Sequence, residues 1–263
     1  MPSSDSLLAR GNRRDYALRD WLDRLDLTER LTVLKPGVDL HFELAGIANR
    51  LDGRQASYFP KPGGNDVGVV SGLISNRAWM AEALGVAEDM LVPAFQDAIA
   101  NPLPTVTIEN ASCQEVVHDD PDLEKLLPIP THNEHDSGAY ITAGLAITKN
   151  PKTGVQNVAI HRLQVSGPKE LGVLLLPRHT LAFFESVEKD GGDLDIAIVV
   201  GARPATLLAS QAVMPIDFDE LEIAGALGGA SLEVTRCLES DIVVPADAEI
   251  GIEGKIVAHR PGP

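Results

Sequence analysis

Apolar residues in the first hundred positions recur mostly at helical spacing. Leu18, Trp21, Leu22 and Leu25 fall at i, i+3, i+4 and i+7, and Leu40, Leu44, Ile47 and Leu51 renew the period after Pro36-Gly37, which predicts two amphipathic helices. Short β-type runs follow at 56–59 and 67–73, separated by Lys61-Pro62-Gly63-Gly64, a string of breakers that ends any regular element. Two more helices are expected over 78–84 and 87–98. Beyond Pro102 and Pro104 the period changes from helix-like to strand-like. Runs at 114–117, 141–148, 155–165, 173–176, 195–200, 232–235, 241–244 and 249–257 read as strands, and Asn150-Pro151-Lys152-Thr153-Gly154 reads as a hairpin connection. Helices intrude only at 180–188, 204–211 and 219–227. The pattern predicts an α+β protein: an N-terminal α/β domain over 1–110, then a β-rich domain over 111–263 built as a barrel or sandwich.

Charge narrows the function classes. With 22 basic and 38 acidic side chains the net charge is -16 at pH 7, and no basic run is present to displace counterions from a nucleic acid. No apolar run approaches the roughly 20 residues of a membrane span, and residues 1–16 contain no apolar core of a secretory signal. Cys113 and Cys237 form no CxxC pair, which fits a reduced, cytoplasmic protein with buried thiols. The chain stops at His259-Arg260-Pro261-Gly262-Pro263, directly after a strand-like run, and reads as interrupted.

Among motifs that carry chemistry, GxGxxG, GxxxxGK[ST] and GxSxG are absent. Gly225 to Gly229 (GALGG) reads as a helix ending where backbones pack closely. His132 and His135 bracket Glu134 in THNEHD, but they follow Leu127-Pro128-Ile129-Pro130 and have no shared helical face, so a polar loop is expected there. More chemistry is concentrated in Asn157-Val158-Ala159-Ile160-His161-Arg162, Pro177-Arg178-His179 and Asp219-Glu220. Strand alternation sets Asn157, Ala159 and His161 on one face and Arg162 on the other unless a bulge intervenes, so spacing alone does not converge these residues.

Order and context across the chain add more. The segments LRDWLDRL, LTVLKPGVDLHFELAGIANRL and SNRAWMAEALG are followed by LPIPTHNEHDSGAYITAGLAIT, NPKTGVQNVAIHR, LLPRH, MPIDFDELEIAGALGG, SLEVTRC and DIVVPADAEIGIEG. Together they resemble the first part of a UbiD-like decarboxylase, the family that uses prenylated FMN in reversible, non-oxidative removal of carboxyl groups from aromatic and α,β-unsaturated acids. The resemblance implies a split β-barrel of the flavin-binding type after the N-terminal α/β domain. It implies that Asn157, His179 and Glu220 hold Mn²⁺ or Mg²⁺ at the cofactor phosphate, with K⁺ as a further cation, and that Arg162 is catalytic and faces the substrate carboxylate. Ala159, Ile160, Met214 and Pro215 fall where the flavin is lined, and Arg178 is a further phosphate contact. Implied partners are a small carboxylic acid, a flavin prenyltransferase as cofactor source and a second copy of the chain. In the family an Arg-Glu-Glu network completes turnover, and its glutamates lie in an EGPFGE-type segment shortly after the strand matched by 249–257. The 263 residues stop before such a segment, so a fragment, a split subunit or a non-catalytic flavin- or phosphate-binding module is the competing expectation.

Overall fold

A computed structural model describes residues 16–258; the expectations for residues 1–15 and 259–263 lie outside them. The element order is α1 (Leu18–Leu27), β1 (Leu31–Val33), α2 (Glu43–Leu51), β2 (Ala56–Phe59), β3 (Val69–Ser71), α3 (Arg77–Ala83), α4 (Leu91–Ala100), β4 (Val106–Thr107), α5 (Leu123–Leu126), β5 (Tyr140–Ile141), β6 (Leu145–Lys149), β7 (Gln156–Ile160), β8 (Leu163–Gly167), β9 (Glu170–Val173), α6 (His179–Glu188), β10 (Leu194–Val200), α7 (Pro204–Ala209), α8 (Glu220–Gly228), β11 (Glu233–Arg236), β12 (Val243–Pro245) and β13 (Ile250–Ile256). The described strands pair into four small sheets, in the orders β1-β2-β3, β13-β10-β6-β7, β12-β11-β4 and β5-β8-β9. Helices and strands are thus mixed as the α+β expectation required.

The four-stranded antiparallel sheet carries the core. Along β6 and β10, Leu145, Ile147, Ala197 and Val199 enter one apolar cluster while Ala146, Ile196 and Ile198 enter another. Both faces of the sheet are therefore buried, which explains why these strands read as continuous apolar runs. The larger cluster also takes Ala81, Leu84, Leu91 and Ala98 from the region of α3 and α4, and Leu221, Ile223, Ala224 and Leu227 from α8. Near the N-terminus, Trp21 and Leu25 of α1 pack with Ala56, Trp79 and Ala83. No helix among the described residues is long and apolar enough to cross a membrane, and Cys113 and Cys237 are both free.

Several strand expectations are corrected. The run 114–117 forms no strand: a 3-10 turn spans Ser112–Gln114, and Val116 and Val117 are exposed. Here the Cys113 N–H bonds Ala246 O, the Gln114 side-chain amide bonds Arg236 O, and the Gln114 and Glu115 N–H groups bond back to Ala111 O and Ser112 O in a turn and not in a ladder. The expected 141–148 strand is two, β5 and β6, because the chain changes sheets near Gly144, where a Cβ would lie 3.0 Å from Ile198. The expected 155–165 strand is likewise β7 and β8 in different sheets, with His161 and Arg162 at the break. The strand expected at 173–176 sits earlier, at Glu170–Val173, leaving Leu174 and Leu176 exposed. The GALGG reading holds: α8 ends at Gly228 and is capped by Gly229, with φ 78°, and a Cβ on Gly225 would meet Ala230 O at 3.0 Å.

Arg30 ties α1, β1 and α3 together. Its guanidinium lies 5.8 Å from the Trp21 ring centroid and 5.4 Å from that of Trp79, and it pairs with Glu82 at 2.7 Å; Arg24 reaches the same carboxylate at 2.8 Å. Burial pushes the Glu82 carboxyl up, but the hydrogen bonds and charges of Arg30 and Arg24 outweigh it and hold the group below its ordinary range. A carboxyl lowered on folding binds fewer protons folded than unfolded, so its stabilisation is present above the unfolded pKa of about 4.3 and lost as pH falls. Glu82→Gln is expected to cost about 1 kcal/mol at pH 7, a value kept small by partial solvent screening. Urea unfolding should show this gap closing toward pH 3; a gap that does not change with pH would contradict the ion-pair origin.

Candidate cofactor and metal site

The site forms at the open edge of the four-stranded sheet. In the order β13-β10-β6-β7, no strand among the described residues lies on the outer side of β7, so its outward backbone groups need other partners. The Val158 N–H finds one in Glu220, whose Oε2 accepts it at 2.7 Å. Glu220 is the first residue of α8, and Asp219 before it caps the helix by accepting from the Leu221 N–H at 2.9 Å. The helix start is thus fixed against the strand edge through one buried carboxylate.

Asn157 precedes Val158 and points from the adjacent position of β7. It is buried, and its Oδ1 lies 2.8 Å from Nδ1 of His179, the first residue of α6. A second tie sets the same helix: His161 Nε2 lies 3.3 Å from the hydroxyl of buried Thr180. The structure therefore puts Asn157 and His179, two of the three residues that the resemblance grouped, in direct contact and bonds the third, Glu220, to the peptide that follows Asn157. Strand geometry alone did not require this convergence; α6 and α8 supply it by presenting their first residues to the same strand.

Glu220 is only 3% exposed, and no lysine or arginine pairs with it among the described residues. Burial is the largest influence on its carboxyl and pushes it up to about 7, against the lowering effect of the Val158 N–H. Burial likewise raises Asp219 to about 6. An amide oxygen, an imidazole nitrogen and an otherwise uncompensated carboxylate are a donor set for a hard or borderline divalent cation. Two cis ligands of an octahedral cation at about 2.1 Å would lie about 3 Å apart, and the Asn157–His179 separation of 2.8 Å fits that spacing. No cluster of three His, Cys, Asp or Glu side chains occurs among the described residues; the trio here depends on an amide.

The remaining candidates border this edge. Ala159 is half-buried on β7 and Ile160, at its end, is 39% exposed. Arg162 lies in the break between β7 and β8, where it is released from strand alternation; it is exposed and makes no hydrogen bond or ion pair among the described residues. Arg178 is exposed at the N-cap of α6. With His179, Leu181, Ala182 and Glu185 it lines an open cleft of about 380 Å³. Met214 packs against the main core, whereas Pro215 is exposed. THNEHD is an irregular loop, as expected, with His135 exposed and His132 half-buried.

Sequence reasoning assigned no role to the residues that brace the site. Gln156 brackets Val243, donating to its carbonyl at 3.1 Å and accepting from its N–H at 2.7 Å, which fastens β7 to β12. Thr148, directly across from Asn157 in the ladder, is fully buried and its hydroxyl has no hydrogen-bond partner among the described residues. The available signal was a polar residue in an otherwise apolar strand, repeated at 148, 156 and 157.

Comparison with known proteins is consistent along the chain. A family model described as the 3-octaprenyl-4-hydroxybenzoate carboxy-lyase Rift-related domain, UbiD, matches residues 105–263, and its N-terminal domain counterpart matches residues 22–99. An anhydromevalonate phosphate decarboxylase of Methanothermobacter thermautotrophicus is 36% identical over 249 residues, covering 94% of this chain and 57% of the relative. The UbiD-class enzyme HmfF from Pelotomaculum thermopropionicum, solved with FMN, superposes with a TM-score of 0.91 at 42% identity, covering 93% of this chain and 56% of that one. An evolved dimeric form of HmfF, solved with prFMN, gives a TM-score of 0.90 at 43% identity over 92% of this chain and 58% of that one. The chain spans a little over half the length of these relatives.

Proposed function

The chain belongs to the UbiD family of carboxy-lyases, and on that premise we propose that it binds prenylated FMN and a divalent cation for the reversible, non-oxidative (de)carboxylation of an aromatic or α,β-unsaturated acid. The observation that carries this reading is the approach of His179 to Asn157 at 2.8 Å with Glu220 bonded to the next peptide. Asn157, His179 and Glu220 would hold Mn²⁺ or Mg²⁺ beside the bound cofactor, and Arg178 at the start of α6 would add a second cationic contact for its phosphate. Ala159, Ile160, Met214 and Pro215 supply the apolar wall. When bound, the prenylated flavin provides the electron sink for breaking the carbon–carbon bond. The protein's part is placement: Arg162, free of competing carboxylates, holds the substrate carboxylate through paired N–H donors and fixes its plane. We read the small sheets beyond residue 110 as the split barrel that presents this edge.

Arg162 gives a direct test. In chain co-produced with a flavin prenyltransferase, Arg162→Ala should retain flavin and metal. Its affinity for unsaturated or aromatic carboxylates, read from flavin absorbance, should fall about tenfold or more, the value of a hydrogen bond to a charged group. Unchanged acid binding in the variant would refute the assignment.

A further inference from the structure

The turn between β6 and β7 touches a segment more than sixty residues away. Asn150 is buried, and its Nδ2 donates to Asp217 Oδ1 at 2.6 Å. The Thr153 hydroxyl donates to the same oxygen, also at 2.6 Å. The Asn150 side-chain oxygen Oδ1 accepts from the Lys152 N–H at 3.0 Å, which fixes the orientation of the side-chain amide and aims its N–H groups at Asp217. Asp217 itself has φ 68°, in the left-handed region that few residues other than glycine, asparagine and aspartate enter. Three residues later the chain delivers Glu220 to Val158. The β6–β7 turn with β7, and the segment 217–220, are therefore bridged twice: at Asp217 and at Glu220.

We propose that Asp217 is a positioning residue, one that sets where Glu220 enters the site relative to Asn157. The inference rests on the metal-site reading above for its consequence, but its geometric part stands on Glu220 and Val158 alone. Asp217 is exposed and belongs to no apolar cluster, whereas Met214 and Phe218 on either side pack against the main core and hold the segment to the protein. Losing the Asp217 bridge therefore removes the constraint on the angle at which the backbone enters Phe218 and the first turn of α8, so the Glu220 carboxylate moves relative to Val158 while the apolar anchors keep the domain folded.

Three variants separate the contributions. Asp217→Asn keeps an acceptor oxygen and tolerates the left-handed backbone; Asp217→Gly keeps the backbone and removes the acceptor; Asp217→Ala loses both. Mn²⁺ affinity is measured by electron paramagnetic resonance of free Mn²⁺, and hydrogen exchange at the Val158 amide by NMR in metal-free protein. Asp217→Asn should match the parent chain. Asp217→Gly should weaken Mn²⁺ binding about tenfold, the low end for losing a group that supports a metal ligand, and should accelerate exchange at Val158 while Ile147 and Val199 stay protected. Parent-like affinity and Val158 exchange in Asp217→Gly would overturn the proposal. So would loss of protection throughout the sheet, which would make Asp217 a general support of the fold. If the parent chain itself binds no Mn²⁺ but Val158 still loses protection in Asp217→Gly, the placement of Glu220 by Asp217 stands and the metal reading falls.

Discussion

Replacing His179 with alanine should weaken Mn²⁺ binding by at least about 100-fold, beyond the 10–100-fold that losing a supporting group costs. In the proposed site the imidazole is one of three donors, and no cluster of three His, Cys, Asp or Glu side chains among the described residues offers a substitute. The fold should survive. Thr180 and Phe183 remain buried in α6, and the contact between His161 and Thr180 persists. The variant does leave buried Asn157 without its 2.8 Å contact, at a cost of about 1–3 kcal/mol for an unsatisfied buried polar group. Calorimetric titration with Mn²⁺, alongside urea unfolding, separates the two effects. Tight Mn²⁺ binding by a folded His179→Ala chain would remove the histidine from the site.

Glu220→Gln should reverse its rank against the parent depending on metal. Without metal, the parent buries a carboxylate that no cation compensates, which is why burial pushes that group up to about 7. Glutamine keeps an oxygen to accept the Val158 N–H and buries no charge, so the metal-free variant should be as stable as the parent or more stable. With Mn²⁺ at about 100 times its dissociation constant, the parent should gain about 2.7 kcal/mol by mass action, and the variant little. Unfolding curves with EDTA and with Mn²⁺ should therefore cross in order. A parent more stable than Glu220→Gln in both conditions would show the carboxylate serving the fold and not a cation.

Much of this architecture could be read from periodicity, because local patterns and tertiary burial agree over α1, β2, α3, α8 and β13. The failures have a common cause. The chain changes sheets at Gly144 and again at His161-Arg162 while hydropathy stays strand-like, and only three-dimensional pairing shows that one run is two strands. Val116 and Val117 mimic a strand yet face solvent, since alternation reports no partner by itself. For the site, spacing alone left Asn157, His179 and Glu220 as scattered polar residues; the resemblance of their surrounding motifs to the UbiD family supplied the grouping. Their convergence needed the helix starts at His179 and Glu220 to meet one strand edge. Asp217 was invisible because its role lies in a left-handed backbone angle and a contact across the β6–β7 turn.

The central claim is that this strand edge holds a cation and a flavin as one unit. It is tested most directly by the metal and flavin content of the chain purified after co-production with a flavin prenyltransferase, measured by mass spectrometry and absorbance, with His179→Ala in parallel. The account predicts equimolar flavin and divalent metal in the parent and the joint loss of both in the variant. Flavin retained equally in parent and variant with no metal in either would contradict it.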